Sequence, residues 1–271
     1  MNRRGYCHFN NNGADTSFLI NLFGHDVEIR QEPASRTLGH GAVVWDSAAV
    51  FTQYLNRNPN VVGAEWRGKS AIELGSGPGL SGIALMLKGL KVTLTDLAKV
   101  TSSLTTDNAR RVYAQMTTAG SGAFAHPLFP PHVYPLDWTD WDAFAAIDGA
   151  GGASGAPYDV LLCTDCVFSV PLVVPLVTCL RRLSGPHSVL YVCHEIRDEE
   201  ANAFFLVEFG KHFSFKRVSK QKLDPSYSND LVQLLVAKPI RTSKKAAAAA
   251  SEQEEVSKLP TPPAPALIDG K

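Results

Sequence analysis

The chain has no surplus of charge of either sign, with 26 lysines and arginines against 26 aspartates and glutamates in 271 residues. With no whole-molecule field to draw in a polyanion, nucleic acid and anionic membrane are disfavoured as the main partner. Long apolar runs are missing too. The longest, Val170 to Leu180, contains Pro171 and Pro175 and falls well short of the roughly 20 residues that a membrane span needs. The first fifteen residues begin basic and turn polar where a secretory leader would need an apolar stretch. Cysteine is scarce and odd in number: Cys7, Cys163, Cys166, Cys179 and Cys193. Four of the five lie within apolar segments, as reduced thiols in a reducing compartment do. These absences predict a soluble monomer of the cytosol, or of cytosol and nucleus, without membrane attachment.

What is present is ordinary for a folded chain: 45% of residues are hydrophobic and 19% charged. Strand-like and helix-like segments alternate from about residue 40 to residue 238. Ser70 to Leu74, Lys91 to Thr95, Val133 to Leu136, Tyr158 to Cys163 and Ser188 to Cys193 read as strands. Leu80 to Lys88, Leu97 to Gln115, Val170 to Leu183 and Asp198 to His212 read as the helices between and after them. That order predicts a parallel sheet with helices on both faces. Phe213 to Val218 and Leu231 to Val236, separated only by a loop, close it with an antiparallel pair. Ahead of the sheet, Phe18 to Phe23 and Val27 to Arg30 flank Gly24-His25-Asp26 as a hairpin, and Trp45 to Leu55 has helical spacing. We divide the chain into a disordered N-terminus (1–16), one domain (17–238, with 17–31 the hairpin) and a disordered tail (239–271) marked by five alanines and a proline cluster. Thr118 to Pro131 and Asp148 to Pro157 read as loops.

The segment that carries chemistry is Glu73-Leu74-Gly75-Ser76-Gly77-Pro78-Gly79-Leu80-Ser81-Gly82, a glycine-rich turn from the first strand into its helix. In an open parallel sheet a ligand sits at the carboxyl ends of the strands, where glycines allow close approach and a helix start offers free N–H groups. A nucleotide-like ligand is the first hypothesis. The dinucleotide spacing G-x-G-x-x-G fails, because its third position is Leu80. The next strand ends in Asp96, which alone would be a helix cap. Beside the glycine loop it is placed to accept from vicinal ribose hydroxyls. After the third strand, Trp138 is placed to stack on a base and Asp137 to accept from an exocyclic amine. Asp165, at the end of the fourth strand, is the polar group facing the reacting end. Cys163 and Cys166 form a CxxC with no second pair or paired histidine, and they read as structural thiols; no metal is assigned.

Glu73-x-Gly75-x-Gly77-x-Gly79, Gly41-Ala42-Val43-Val44-Trp45-Asp46-Ser47-Ala48, Val92 to Asp96, Leu136-Asp137-Trp138 and Thr164-Asp165-Cys166-Val167-Phe168 together resemble the family-16 lysine methyltransferases. Within that family the likeness is to the methyltransferase-like 21 group, whose members modify Hsp70 or valosin-containing protein. It covers about residues 17 to 238. The resemblance implies the Rossmann-like, seven-stranded α/β fold of class I S-adenosylmethionine (SAM)-dependent methyltransferases with an N-terminal β-hairpin extension. It implies SAM as cofactor and, as partner, a protein substrate of chaperone, ATPase or elongation-factor type. By the same resemblance, Trp45 stands at the cofactor site, and Glu73, Gly75, Ser76 and Gly77 form the motif along the amino-acid part of SAM. Asp96 is the ribose ligand, Asp137 and Trp138 flank the adenine, and Thr164 is the small residue touching the cofactor. Asp165 opens the family's D-x-x-Y motif, whose fourth position here is Phe168, an aromatic wall without the hydroxyl.

Methyl transfer from a sulfonium requires no covalent nucleophile, so the main task is to align the acceptor. A lysine ammonium, with pKa about 10.4, must first lose a proton, and a narrow apolar channel favours the neutral amine. Asp165 is expected to orient that amine and Phe168 to wall the channel. Two alternatives stand beside this reading. One is methylation of nucleic acid or a small molecule, against which the asparagine-proline-proline-aromatic signature is absent and Asp165 to Phe168 stands in its place. The other is a SAM-binding protein without catalysis.

Overall fold

A computed structural model of the chain describes residues 15–118, 124–140 and 157–240. Residues up to Pro239 form one unit, and Ile240–Lys271 a second of which only Ile240 is described. The expected N-terminal segment to residue 14, the glycine-rich loop at 148–156, Cys7 and the tail from 241 lie outside the described residues.

Ser17–Leu22 (β1) and His25–Arg30 (β2) pair antiparallel as the predicted hairpin. Its two-residue turn holds Phe23 at φ 55° and Gly24 at φ 87°, the left-handed pair whose twist suits a tight hairpin. Phe18, Ile20, Leu22, Val27 and Ile29 point inward while Leu19 is 71% exposed, the period of two that a half-buried strand requires.

The second sheet has seven strands: Ser70–Leu74 (β3), Lys91–Asp96 (β4), His132–Pro135 (β5), Tyr158–Thr164 (β6), Ser184–Glu195 (β7), Phe213–Arg217 (β8) and Val232–Pro239 (β9). Their order is β5-β4-β3-β6-β7-β9-β8. Neighbours among the first five pair parallel, and β9 lies antiparallel to both β7 and β8. The closing strand therefore inserts between β7 and β8. The sequence explains the choice: β9 buries Val232, Leu234, Leu235 and Ala237, whereas β8 buries only Phe213. Lys216 and Arg217 sit on that edge strand, where charge deters pairing with other chains.

Alternate residues of the strands feed two cores. On one face Asp46–Arg57 (α1), Leu80–Leu87 (α2), Thr106–Thr118 (α3) and the hairpin pack against Ala71, Val160, Leu162, Tyr191 and Cys193. On the other, Val170–Leu183 (α4) and Glu199–Gly210 (α5) cover Ile72, Leu74, Leu161, Leu190 and Val192. The single helix expected from Leu97 to Gln115 is broken. Ala98–Val100 is one α-turn, Thr101–Thr105 is π-helical, and only then does α3 begin. Threonine hydroxyls cause the irregularity by competing for backbone carbonyls. Thr106 Oγ1 donates to the Thr101 carbonyl at 2.6 Å, and Thr105 Oγ1 turns outward to the Gly77 carbonyl at 2.7 Å.

Candidate active site

The loop after β3 is shaped by backbone that only glycine adopts easily. Gly75, Gly77 and Gly79 have φ of 64°, 51° and 93°. Gly75 is also crowded: a Cβ there would lie 2.7 Å from Cys166 Sγ and 3.1 Å from the Trp138 ring. The loop is pinned from several sides. Ser76 N donates to the Thr95 carbonyl at 2.9 Å, Gly77 N to Asp96 Oδ2 at 2.8 Å, and Gly79 N to the Ser76 carbonyl at 2.8 Å. Asn108, fully buried on α3, donates to the Pro78 carbonyl at 3.0 Å and the Arg30 carbonyl at 2.9 Å, tying the hairpin to the loop.

Glu73 lies beneath the loop and does not line the cavity that the other predicted residues enclose. Its Oε2 accepts from Gly82 N at 2.8 Å, and its Oε1 has no partner. Burial, reinforced by the nearby charge of Asp96, pushes its pKa up to about 8 despite the Gly82 and Ser81 donors. Gly82 is the close-packing glycine that the G-x-G-x-x-G spacing failed to locate. A Cβ on it would fall 2.1 Å from Leu94 Cδ2 and 2.7 Å from Glu73 Oε2. Its role is legible only once α2 is seen lying against β4.

A cavity of about 510 Å³ opens over the loop at the carboxyl ends of β3, β4 and β6, a size ordinary for a small-molecule site. Trp45, Gly75, Ser76, Gly77, Asp96, Asp137, Trp138, Thr164, Asp165 and Phe168 all line it. Asp96 accepts from Gly77 N and, through Oδ1, from Leu97 N at 2.7 Å, while desolvation still raises its pKa. Asp137 is exposed, and its Oδ1 accepts from Thr139 N and Oγ1 at 2.9 and 2.7 Å, so one of its oxygens already serves the turn. Thr164 Oγ1 lies 3.4 Å from Ser81 Oγ. The thiol of Cys166 donates to the Leu74 carbonyl at 3.2 Å, and hydrogen bonding with Cys163 together with burial holds its pKa well up, so it remains protonated. Among the described residues, no three His, Cys, Asp or Glu side chains stand close enough to hold a metal ion.

At the far end Asp165 adopts φ 56°, a left-handed conformation uncommon outside glycine but open to aspartate and asparagine. That turn aims its carboxylate at β7. Oδ1 accepts from Glu195 N at 3.0 Å, and Oδ2 is ion-paired with Arg197 at 3.1 Å. The carboxylate expected to meet the acceptor is thus already held. Beside it stands an aromatic wall: His40 is edge-on to both Trp45 and Phe168, at 6.0 and 5.9 Å between ring centres, and Trp45 Nε1 donates to the His40 carbonyl at 2.8 Å. His40, Glu195 and Arg197 escaped the sequence reading. Nothing in spacing shows that the segment after β7 folds back on Trp45 and Asp165.

A sheet of this order, with a glycine loop after its central strand and a carboxylate ending the next, defines a Rossmann-like methyltransferase of class I. The chain belongs to the lysine methyltransferase family, whose model matches residues 24–120 and 132–208. Two relatives from Mus musculus are similar. EEF1A lysine methyltransferase 3 is 32% identical over 73% of this chain and 75% of its own. Protein N-lysine methyltransferase METTL21A is 32% identical over 74% and 79%. Among solved structures, the 16S rRNA N2 G1207 methyltransferase of T. thermophilus, in complex with AdoMet and guanosine, matches with a TM-score of 0.52 at 14% identity, over 82% of this chain and 50% of its own. A transferase from Pyrococcus horikoshii matches at 0.51 and 10% identity, over 84% and 74%. These two share the fold. Membership makes the chain a SAM-dependent methyltransferase acting on a lysine side chain of a protein. The residues present fit the cofactor: Ser76 Oγ is buried on the cavity wall without a partner, the Asp96 carboxylate is within reach, and the Trp138 indole overhangs Gly75.

Proposed function

We propose that the chain methylates a lysine on a folded protein of ATPase, chaperone or elongation-factor type, with the amine entering along His40 and Phe168 to meet Asp165. The observation that carries this reading is the Asp165 carboxylate, held by a left-handed backbone turn on the cavity wall that those rings also line. The partner class is supported by the relative that acts on EEF1A, and a reducing compartment, cytosol or nucleus, by four buried free thiols. A single catalytic copy suffices, since Asp165, the aromatic wall and the glycine loop all come from one chain.

In the proposed arrangement, Gly75, Ser76 and Gly77 run along the amino-acid part of the cofactor, with Glu73 bracing the loop from below. Asp96 takes the ribose, Asp137 and Trp138 the adenine, and Thr164 and Trp45 flank the transfer end. When bound, SAM supplies a methyl group already activated on a sulfonium. The protein's part is positioning. The substrate nitrogen arrives at Asp165 as an ammonium, and the apolar walls from Leu38, Val43, Leu97 and Val100 then favour its loss of a proton to solvent. Asp165 accepts a hydrogen bond from the resulting amine, which fixes the direction of its lone pair. Phe168 contributes a ring face and no hydroxyl, so orientation falls to Asp165 alone.

The test is incubation with isotopically labelled SAM and cell extract, followed by mass spectrometry of the modified proteins. Label on lysine of one or a few proteins is the expected result. Label confined to RNA or small molecules would overturn the reading. Asp165→Ala should lower transfer at least a hundredfold, on the order of a lost positioning contact, with SAM affinity by calorimetry within a few-fold of wild type. Near-wild-type turnover would remove Asp165 from the mechanism.

A further inference from the structure

Resting on the reading that a lysine amine meets Asp165, we propose that Arg197 is an internal stand-in for the substrate cation. Its guanidinium occupies the seat formed by Asp165, Glu195 and the face of Trp45, and the substrate ammonium enters by displacing it. The contacts are those of a bound cation. Nη2 lies 3.1 Å from Asp165 Oδ2 and 3.0 Å from Glu195 Oε2, Nε donates to Glu195 Oε2 at 3.0 Å, and Cζ stands 4.4 Å over the Trp45 ring. The two carboxylate side chains are only 3% and 10% exposed. Two sheltered anions this close need a cation between them, and an aromatic face adds to the attraction.

The walls of the seat are fixed and its occupant is not. Asp165 is held by Glu195 N and by its own backbone, Glu195 ends β7, and Trp45 caps α1 with its indole N–H bound to His40. Arg197 lies in the short link between β7 and α5, and its side chain is 26% exposed, so the guanidinium has solvent to swing into. Trp45 and Asp165 also line the cavity. The cation that replaces Arg197 is therefore delivered to the reacting end. A self-docked guanidinium keeps the anions neutralised between turnovers and makes entry selective, because a neutral side chain has nothing to offer the carboxylates.

The probe is n-butylammonium, titrated into the full chain and followed by calorimetry and by the indole N–H resonance of Trp45. Arg197→Ala should bind it about tenfold more tightly than wild type, the relief expected from a competitor held by about 1.4 kcal/mol. Arg197→Lys should restore wild-type affinity, and Asp165→Asn combined with Arg197→Ala should lose the gain. Unchanged or weaker binding in Arg197→Ala would overturn the proposal and make Arg197 a fixed wall. So would an equal gain in Lys99→Ala, which removes a cavity-lining positive charge without opening the seat. If Arg197→Ala is too unstable to titrate, Arg197→Gln takes its place with the same two outcomes. The titration uses neither SAM nor a substrate protein. A cation gain without lysine methylation would sink the methylation reading alone, and methylation without the gain would sink the stand-in alone.

Discussion

Glu73 offers a sharp physical test, because it is an acid placed where an acid ionises poorly. It is fully buried beneath the glycine loop, one oxygen has no partner, and its pKa is raised from 4.5 to about 8. The folded protein thus binds this proton more tightly than the unfolded chain. Its stabilising contribution is complete below about pH 4.5 and disappears as pH rises through about 8. Over that window the loss amounts to roughly 4 kcal/mol, a large part of a domain's net stability. Asp96, raised by its own burial, adds in the same direction. Glu73→Gln keeps an acceptor for Gly82 N and cannot ionise. Urea unfolding of both proteins at half-unit steps from pH 5 to pH 8.5 gives the comparison. We expect the variant to be equal to or slightly weaker than wild type at pH 5 and progressively more stable above pH 6, by about 3 kcal/mol near pH 8. Parallel curves across the range would show that Glu73 ionises alike in both states, and would refute the account of the loop's foundation.

Three further outcomes follow from the same geometry. Gly82→Ala should destabilise by about 1 to 3 kcal/mol in urea, because its Cβ would collide with Leu94; Leu94→Ala in the same chain should recover part of the loss, and failure to do so would place the strain elsewhere. Asn108→Ala removes donors from the Arg30 and Pro78 carbonyls and should cost about 2 to 3 kcal/mol, with hydrogen exchange in β2 accelerated. Gly77→Arg puts a long side chain at φ 51° on the cavity wall and should abolish SAM binding in calorimetry, whereas retained affinity would move the cofactor site.

The strands and the glycine loop were legible because their signals are local. A run such as Val160-Leu161-Leu162-Cys163 is apolar on both faces, and between turn signals that marks a central parallel strand. The π-helical stretch at Thr101–Thr105 was not legible. It depends on Thr105 finding the Gly77 carbonyl, 28 residues away, and no helical periodicity encodes that choice. The insertion of β9 between β7 and β8 is a long-range matter too, decided by how much apolar surface each strand brings. Of the predicted site residues, Asp96 and Asp165 are placed by their positions at strand ends, and Trp45 only by the family resemblance. His40 and Arg197 have no such anchor. Each was one of 8 histidines or 26 basic residues until the fold brought it to Trp45.

That distinction bears on the neutral charge balance. A net charge of zero says that no long-range field gathers a partner, since exposed charges are screened beyond about 8 Å at physiological salt. It says nothing of the field inside a cleft. At the acceptor end Asp165 and Glu195 are sheltered from water, so their pull on a cation is several times what the same pair would exert on the surface. Phe168 and Trp45 add ring faces that attract positive charge and offer no hydrogen bond to a neutral hydroxyl. In the proposed arrangement, selection of a lysine rests on two carboxylates and two rings at short range. Choice among proteins must then come from surfaces around the cavity mouth, where Leu97 and Phe168 are exposed.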